Sequence, residues 1–205
     1  MPYSDFTVKK VQEVFQVQLH ETTGLFAGLP KKEASPHLLE TLKENVPLAA
    51  SINSEKARSE LIIAPILVEI KKQHKGELSL FSGVELTVDR EKELSGFCDF
   101  LLSRSSEQLY VRSPIVMIVE AKNENIMSGL GQCIAEMIAA EIFNQQESDG
   151  ANNIINRSYG VITSGNLWRF LKLEGRDVHI DLDDYGIKEL TQILGILSAM
   201  VALQA

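Results

Sequence analysis

The feature that most constrains the fold is an unbroken apolar run at residues 114–119 (PIVMIV), which ends in Glu120, Ala121 and Lys122. Such a run is typical of a strand that is buried on both faces of a sheet. Charged side chains at the end of a buried strand are costly to remove from water, so stability gives little reason for them. We therefore expect Glu120 and Lys122 to serve a site. A simple ion pair at the strand end is the alternative.

A second Glu-x-Lys triplet, Glu69 to Lys71, lies in a segment (57–73) whose apolar residues recur with helical spacing. Two positions along a helix point to different sides, whereas two positions along a strand share a face. Only the copy at Glu120 and Lys122 therefore predicts two side chains that act together. The helical copy is interpreted as a helix end that enters solvent.

Composition predicts one compact domain, since the chain has 205 residues of which 44% are hydrophobic. We expect a cytoplasmic protein without a membrane contact, because no apolar run approaches the length of a membrane span and the first residues do not resemble a signal peptide. Cys98 and Cys133 are predicted to be buried free thiols rather than a disulfide or a metal pair. The net charge of −8 argues against tight nonspecific binding of nucleic acid but leaves room for a local basic groove.

Periodicity and capping residues predict an α/β fold in which a mixed β-sheet is flanked by helices in the order α-β-β-β-α-β. Ser4 is expected to cap a first helix that carries Val8 to Leu19, and Ser54 to cap a long helix that contains Pro65. The further predicted elements are a short helix at 38–53, strands at 77–89, 94–106 and 114–122, an amphipathic helix at 128–146, two strands within 157–175, an edge strand at 178–183 and a helix at 187–205.

Asp99 is the only charged residue inside the apolar run GFCDFLL, and alternation places it on the face opposite Cys98. Neighbouring strands would bring it close to Glu120. Two adjacent carboxylates repel each other unless a cation lies between them, and a hard divalent ion such as Mg²⁺ (or Mn²⁺) prefers such oxygen ligands. The carbonyl of Ala121 could add a ligand. Lys122 would then orient or help deprotonate a metal-activated water and stabilise charge on a phosphate.

Asp99, a gap of twenty residues and then Glu120-Ala121-Lys122 resembles the PD-(D/E)XK nuclease superfamily over residues 54–174. The whole chain also resembles bacterial, notably cyanobacterial, proteins of unassigned function. The resemblance implies a restriction-endonuclease-like core and a role for Glu60 in completing the metal site; a solvated helix residue is the alternative. Cys98 stands where the family pattern has proline.

Gln132 is assigned a site role on the same resemblance, with a plain polar position on a helix flank as the alternative. Some exonuclease members carry Gln and Tyr on this helix, and Glu136 stands here where they have Tyr. An exonuclease assignment is therefore not supported.

The sequence thus predicts a single domain, 1–205, with a helical extension (1–53), a nuclease core (54–174) and a C-terminal strand and helix (175–205). The expected function is Mg²⁺-dependent hydrolysis of nucleic acid, with a DNA endonuclease favoured. The alternative is a catalytically inactive protein of the same fold that serves as an acidic interaction or scaffold module. A homodimer with the terminal helix in its interface is expected, because this helix is apolar on more than one face. The alternative is that helix 1 and the connector after it cover the terminal helix within one subunit.

Overall fold

The computed structural model describes residues 3–147 and 157–202. Within these residues the chain forms a mixed sheet of eight strands with helices on both faces. The helices are α1 (Val8–Phe15), α2 (Pro36–Ile52), α3 (Glu55–Arg58), α4 (Ala64–Gln73), α5 (Leu130–Glu147) and α6 (Leu190–Ala202). The strands are β1 (Gln18–Thr22), β2 (Ser79–Asp89), β3 (Leu94–Ser103), β4 (Ile115–Ala121), β5 (Arg157–Thr163), β6 (Leu167–Glu174), β7 (Asp177–Asp181) and β8 (Tyr185–Gly186). This confirms the predicted α/β class.

The strands follow the order β1-β7-β6-β5-β4-β3-β2, and β8 pairs with β6. The pairs β4–β5 and β1–β7 are parallel, and the other neighbouring pairs are antiparallel. The helix α5 is the crossover between β4 and β5, as parallel neighbours require. The end of β4 therefore lies inside the sheet, beside the end of β5 and the middle of β3.

Two apolar cores fill the spaces on either side of the sheet. One core lies under α2, α4 and α6 and includes Phe100 and Val119 from the central strands. The other lies under α1 and α5 and includes Leu101 and Ile118. Every residue of β4 is buried, which confirms that residues 115–119 of the apolar run are covered on both faces. Burial on both faces explains why its sequence does not alternate.

The helix α5 is buried on nearly all sides, so the prediction that it is amphipathic was wrong. Its fully buried residues include Glu136, and Glu141 is 7% exposed. The sheet covers one side of α5 while α1 and the turn Tyr3–Asp5 cover another. Segment 126–147 is long and apolar enough to span a membrane, but 72% of its apolar window is buried inside the molecule. It is a core helix.

The N-terminal region is not purely helical, which corrects the predicted extension 1–53. Thr7 rather than Ser4 caps α1, and its side chain accepts the backbone N–H of Lys10 at 3.2 Å. Leu19 lies in β1, which was not predicted. Because β1 pairs with β7, the strand expected to be at the edge has neighbours on both sides.

The helix at 55–73 confirms the predicted cap and contains an unexpected π segment. The Ser54 side chain accepts the backbone N–H of Ala57 at 3.2 Å. Residues Ser59–Ile63 form a π-helix between α3 and α4, directly before Pro65. A π segment widens the backbone turn and is often found at functional sites. It carries Glu60, whose position is described below.

The terminal helix α6 is covered within the chain. Nine of its described residues are buried, and they pack with residues of α2 and α4 in the same core. The connector before α2 crosses it so closely that a Cβ on Gly195 would lie 2.1 Å from the carbonyl oxygen of Pro30. These faces of α6 therefore need no partner subunit to cover them. Residues 203–205 of the predicted helix lie outside the described residues.

Candidate active site

Glu120 and Lys122 lie together at the end of the central strand, as the strand argument predicted. Glu120 is 1% exposed, and the Lys122 ammonium donates a hydrogen bond to its Oε1 atom. The backbone N–H of Lys122 continues the pairing with β5, donating to the carbonyl of Thr163 at 2.8 Å. The central strand therefore fixes both side chains on one side of the sheet end.

Asp99 reaches the same strand end from β3. Phe100 pairs with Val119 in the antiparallel ladder, so the preceding residue of β3, Asp99, lies opposite Glu120. The Oδ2 atom of Asp99 accepts the backbone N–H of Ala121 at 2.8 Å. The structure therefore brings Asp99, Glu120 and Ala121 together, as the sequence predicted.

The electrostatics of the site are those of a buried acid beside a second acid. Burial, and after it the negative charge of Asp99, raise the pKa of Glu120 to about 8 against the opposing effect of Lys122. The pKa of Lys122 is raised as well: burial lowers it, but the carboxylate of Glu120 and their hydrogen bond outweigh burial. A cation bound between the acids would lower the pKa of Glu120, because it favours the charged form.

The second carboxylate oxygen of Glu120, Oε2, is buried and has no hydrogen-bond partner. A buried oxygen without a partner is costly, so it is suited to a ligand. Together with Asp99 it supplies the hard oxygen atoms that Mg²⁺ or Mn²⁺ prefers. Across residues 3–147 and 157–202, however, no three His, Cys, Asp or Glu side chains form a group that could hold a metal ion. The donor chemistry fits a divalent cation, with two carboxylates rather than three near the strand end.

A polar cleft of about 260 Å³ opens in front of Asp99. Its lining residues come from the helix at 55–73 and from three strand segments: Glu55, Lys56, Ser59, Glu60, Ser82, Gly83, Asp99 and Ala121. Glu60 thus borders the same cleft as Asp99. Its carboxylate is 62% exposed and lies 3.4 Å from the ammonium of Lys56. The resemblance assigned Glu60 to the metal site. The structure places this residue at the rim of the cleft, where its carboxylate faces the ammonium of Lys56.

Gln132 extends the site toward α5. Its Oε1 atom lies 3.4 Å from the Lys122 ammonium, and its Nε2 donates to Glu136 Oε1 at 3.0 Å. Lys122 can only donate, so the amide of Gln132 must present its carbonyl to Lys122 and its NH₂ group to Glu136. The sequence assigned no role to Glu136. It is fully buried with Oε2 unpartnered, and burial together with the charge of Glu120 raises its pKa.

Glu55 was also missed. It lines the polar cleft, and its charge raises the pKa values of Glu120 and Lys122. Its signal in the sequence is its place directly after the cap Ser54, where an acid at a helix start normally needs no further explanation.

Gly129 allows the approach of α5 to this site. A Cβ at this position would lie 2.9 Å from Cε of Lys122 and 3.2 Å from Cγ of Glu120. A larger residue would require the Lys122 side chain to shift. The absence of a side chain at Gly129 is therefore part of the site's geometry.

The other Glu-x-Lys copy is structural. Glu69 is buried and its carboxylate accepts the backbone N–H and the hydroxyl of Ser35 at 3.1 and 2.9 Å. It ties α4 to the start of α2 rather than entering solvent, which corrects the sequence interpretation of Glu69. Trp168 and the two cysteines are buried, and the cysteines are free thiols, as predicted.

No family model matches the chain, and comparisons with curated proteins and with solved structures found no match either. Function is therefore argued from the site itself. Its defining features are a buried acid–lysine pair at the end of a central strand, a second acid on the neighbouring strand and a polar cleft in front of them.

Proposed function

We propose that the chain is a metal-dependent phosphodiesterase of the nuclease type, in the cytoplasm, with nucleic acid, DNA favoured, as substrate. The observation that carries the proposal is the buried carboxylate of Glu120, which shares one oxygen with Lys122 and leaves Oε2 without a partner beside Asp99. The order of the helix at 55–73, β2, β3, β4, α5 and β5 supports a restriction-endonuclease-like core and the resemblance to the PD-(D/E)XK superfamily.

In this proposal Asp99, Glu120 and the Ala121 carbonyl hold Mg²⁺ or Mn²⁺, and Glu60 completes the ligand set from the rim of the cleft. The ion supplies Lewis-acid polarisation of the phosphate and lowers the pKa of water. Lys122 orients the attacking water and donates to the phosphate oxygens, where negative charge develops. Gln132 keeps the lysine in place through the contact with its ammonium. An endonuclease is favoured because Glu136 stands where some exonuclease members of the resembled superfamily carry Tyr.

The proposal includes a homodimer, and one argument supports it. Cutting both strands of a duplex requires two active centres or two successive events, and a twofold dimer provides two centres. Since the faces of α6 are covered within the chain, an interface would use another surface.

One observation favours a second candidate, an inactive protein of this fold that serves as an acidic interaction module. Oδ2 of Asp99 is already bonded to a backbone N–H, Oε1 of Glu120 to Lys122, and Glu60 faces Lys56. In a site that has lost its metal, we expect protein groups to take the place of the ion as partners of the carboxylates.

A nuclease assay separates the two candidates. Supercoiled plasmid, single-stranded DNA, branched DNA and RNA are incubated with the protein and Mg²⁺ or Mn²⁺, with EDTA and the variant Asp99→Asn as controls. Metal-dependent cleavage by the wild-type protein that Asp99→Asn abolishes supports the nuclease. No cleavage of any substrate, combined with a melting temperature that neither metal changes, supports the inactive module.

A further inference from the structure

A second cleft, of about 290 Å³, adjoins the polar cleft and lies between α2 and α4. The surface that lines it is mostly apolar and includes Leu38, Ala64, Pro65 and Val68. Glu60 and Lys72 are among its charged residues. Glu60 lines both clefts, so the two clefts meet at this residue. We refer to the second cleft as the α2–α4 slot.

The helix at 55–73 provides a continuous stripe along both clefts. Lys56, Glu60, Ala64, Val68 and Lys72 follow one another at intervals of four residues, and every one of them lines one of the two clefts. At 1.5 Å per residue the stripe is about 24 Å long. It begins and ends with a lysine and is apolar in the middle. An extended ligand with anionic groups at intervals and an apolar group between them matches this pattern.

Both acids of the slot are already bonded to neighbouring protein groups. The carboxylate of Glu69 is occupied by Ser35 and Gln73, and that of Glu60 lies against Lys56. Lys72 is exposed and makes no ion pair among the described residues. One cation at the far end of the slot is therefore available for a phosphate.

We propose that the α2–α4 slot receives an unpaired nucleobase next to the phosphodiester bound in the polar cleft. This deepens and rests on the proposed function. Pro65 and Val68 on α4 and Leu38 on α2 supply the apolar walls for a flat heterocycle. The His37 ring and Thr41 supply polar edges, and Lys72 contacts a phosphate further along the strand. Bases extracted from a stack are commonly held between apolar side chains in this way. A base inside a duplex is stacked and paired, so the preferred substrate has an unpaired strand.

Direct binding tests this without relying on cleavage. Fluorescence anisotropy is measured in EDTA with a labelled single-stranded oligodeoxynucleotide and with the duplex of the same sequence. The variant Val68→Asn makes the slot polar without adding charge. The matched control is Val14→Asn on α1, since Val14 is 45% and Val68 39% exposed and α1 lies on the other face of the sheet. Circular dichroism verifies that both variants fold.

We expect the single strand to bind more tightly than the duplex, and Val68→Asn to weaken it about fivefold or more, in line with the loss of one stacked base. Val14→Asn should change the affinity less than about twofold. Lys72→Gln, at an exposed position, provides a second test and should weaken binding and reduce its salt dependence.

Any one of three results would overturn the proposal of a base-binding slot. The single strand and the duplex bind with equal affinity, the single strand does not bind at all, or Val68→Asn and Val14→Asn change the affinity equally. The two proposals can fail separately. Metal-dependent cleavage together with single-strand binding that Val68→Asn does not weaken leaves the nuclease and removes the slot. Single-strand binding that Val68→Asn weakens, without metal-dependent cleavage, leaves the slot and removes the nuclease.

Discussion

Glu120 and Glu141 form a matched pair for separating the electrostatic properties of the site from those of any buried acid. Both are buried, each has one carboxylate oxygen without a hydrogen-bond partner, and burial is the main cause that raises the pKa of each to about 8. Only Glu120 lies beside Asp99 and Lys122. The perturbation is Glu→Gln at each position, which keeps the size of the side chain and removes its charge.

The size of the effect follows from the pKa shift. A rise from 4.5 to about 8 corresponds, at about 1.36 kcal/mol per unit, to on the order of 5 kcal/mol. Because the folded state binds the proton more tightly, this stability is present below about pH 4.5 and is lost as pH rises to about 8. Glu141→Gln should therefore reduce the loss of stability over that interval by a few kcal/mol. Glu120→Gln should recover less, because Lys122 loses its carboxylate partner.

The two variants should then differ in their response to metal. At about 100 times its dissociation constant, a ligand stabilises the folded protein by about 2.7 kcal/mol, which raises the melting temperature of a chain of this size by about 5–11 °C. With saturating MnCl₂ the wild-type protein and Glu141→Gln should show this rise, and Glu120→Gln should not.

The assays are urea unfolding followed by circular dichroism from acid to mildly alkaline pH, and thermal melting with and without MnCl₂. A Glu141→Gln variant with the wild-type dependence of unfolding free energy on pH would refute the burial argument. A Glu120→Gln variant that keeps the full metal-induced rise would remove Glu120 from the metal site.

Three further predictions concern the candidate site and the oligomeric state. Asp99→Asn should lower the affinity for Mn²⁺ in calorimetry while the protein stays folded, and an unchanged affinity would exclude Asp99 as a ligand. Lys122→Ala should reduce cleavage with little change in metal affinity, since lysine is not a ligand for a hard cation, whereas Lys71→Ala should leave cleavage unchanged; equal effects would contradict the difference between strand and helix copies. Light scattering at micromolar concentration should give the mass of a dimer, and a monomer mass for a folded sample would mean that duplex cleavage proceeds by successive nicks.

Local sequence patterns predicted which side chains lie together at the candidate site. Alternation along β3 and the apolar run of β4 predicted that adjacent strands bring Asp99 beside Glu120, and the side-chain period of a strand placed Lys122 beside Glu120. Ser54 was recognised as a cap because the bond it makes is local.

The missed features depend on distant parts of the chain. The strand β1 (QLHET) is polar and short, and it becomes a strand only because β7 offers parallel partners such as Asp177 for Gln18. Glu136 looks like a polar position on an amphipathic helix, and its burial follows from the layer over α5, which no periodicity in α5 itself reveals. Glu55 looks like an ordinary acid at a helix start.

The pairing of β1 with β7 has a consequence for the order of folding. Gln18 lies opposite Asp177, so the two strands are separated by about 160 residues along the chain. Closing a loop of this length is entropically costly, and contacts between distant residues slow folding. During synthesis β1 must wait without its partner until β7 emerges, after the strands of the site have been made. The pairing of β1 therefore forms after the strands that carry Asp99 and Glu120 have been made, at an edge that β7, β6 and β5 separate from β4. A nascent chain can assemble its acid pair while this edge is still open.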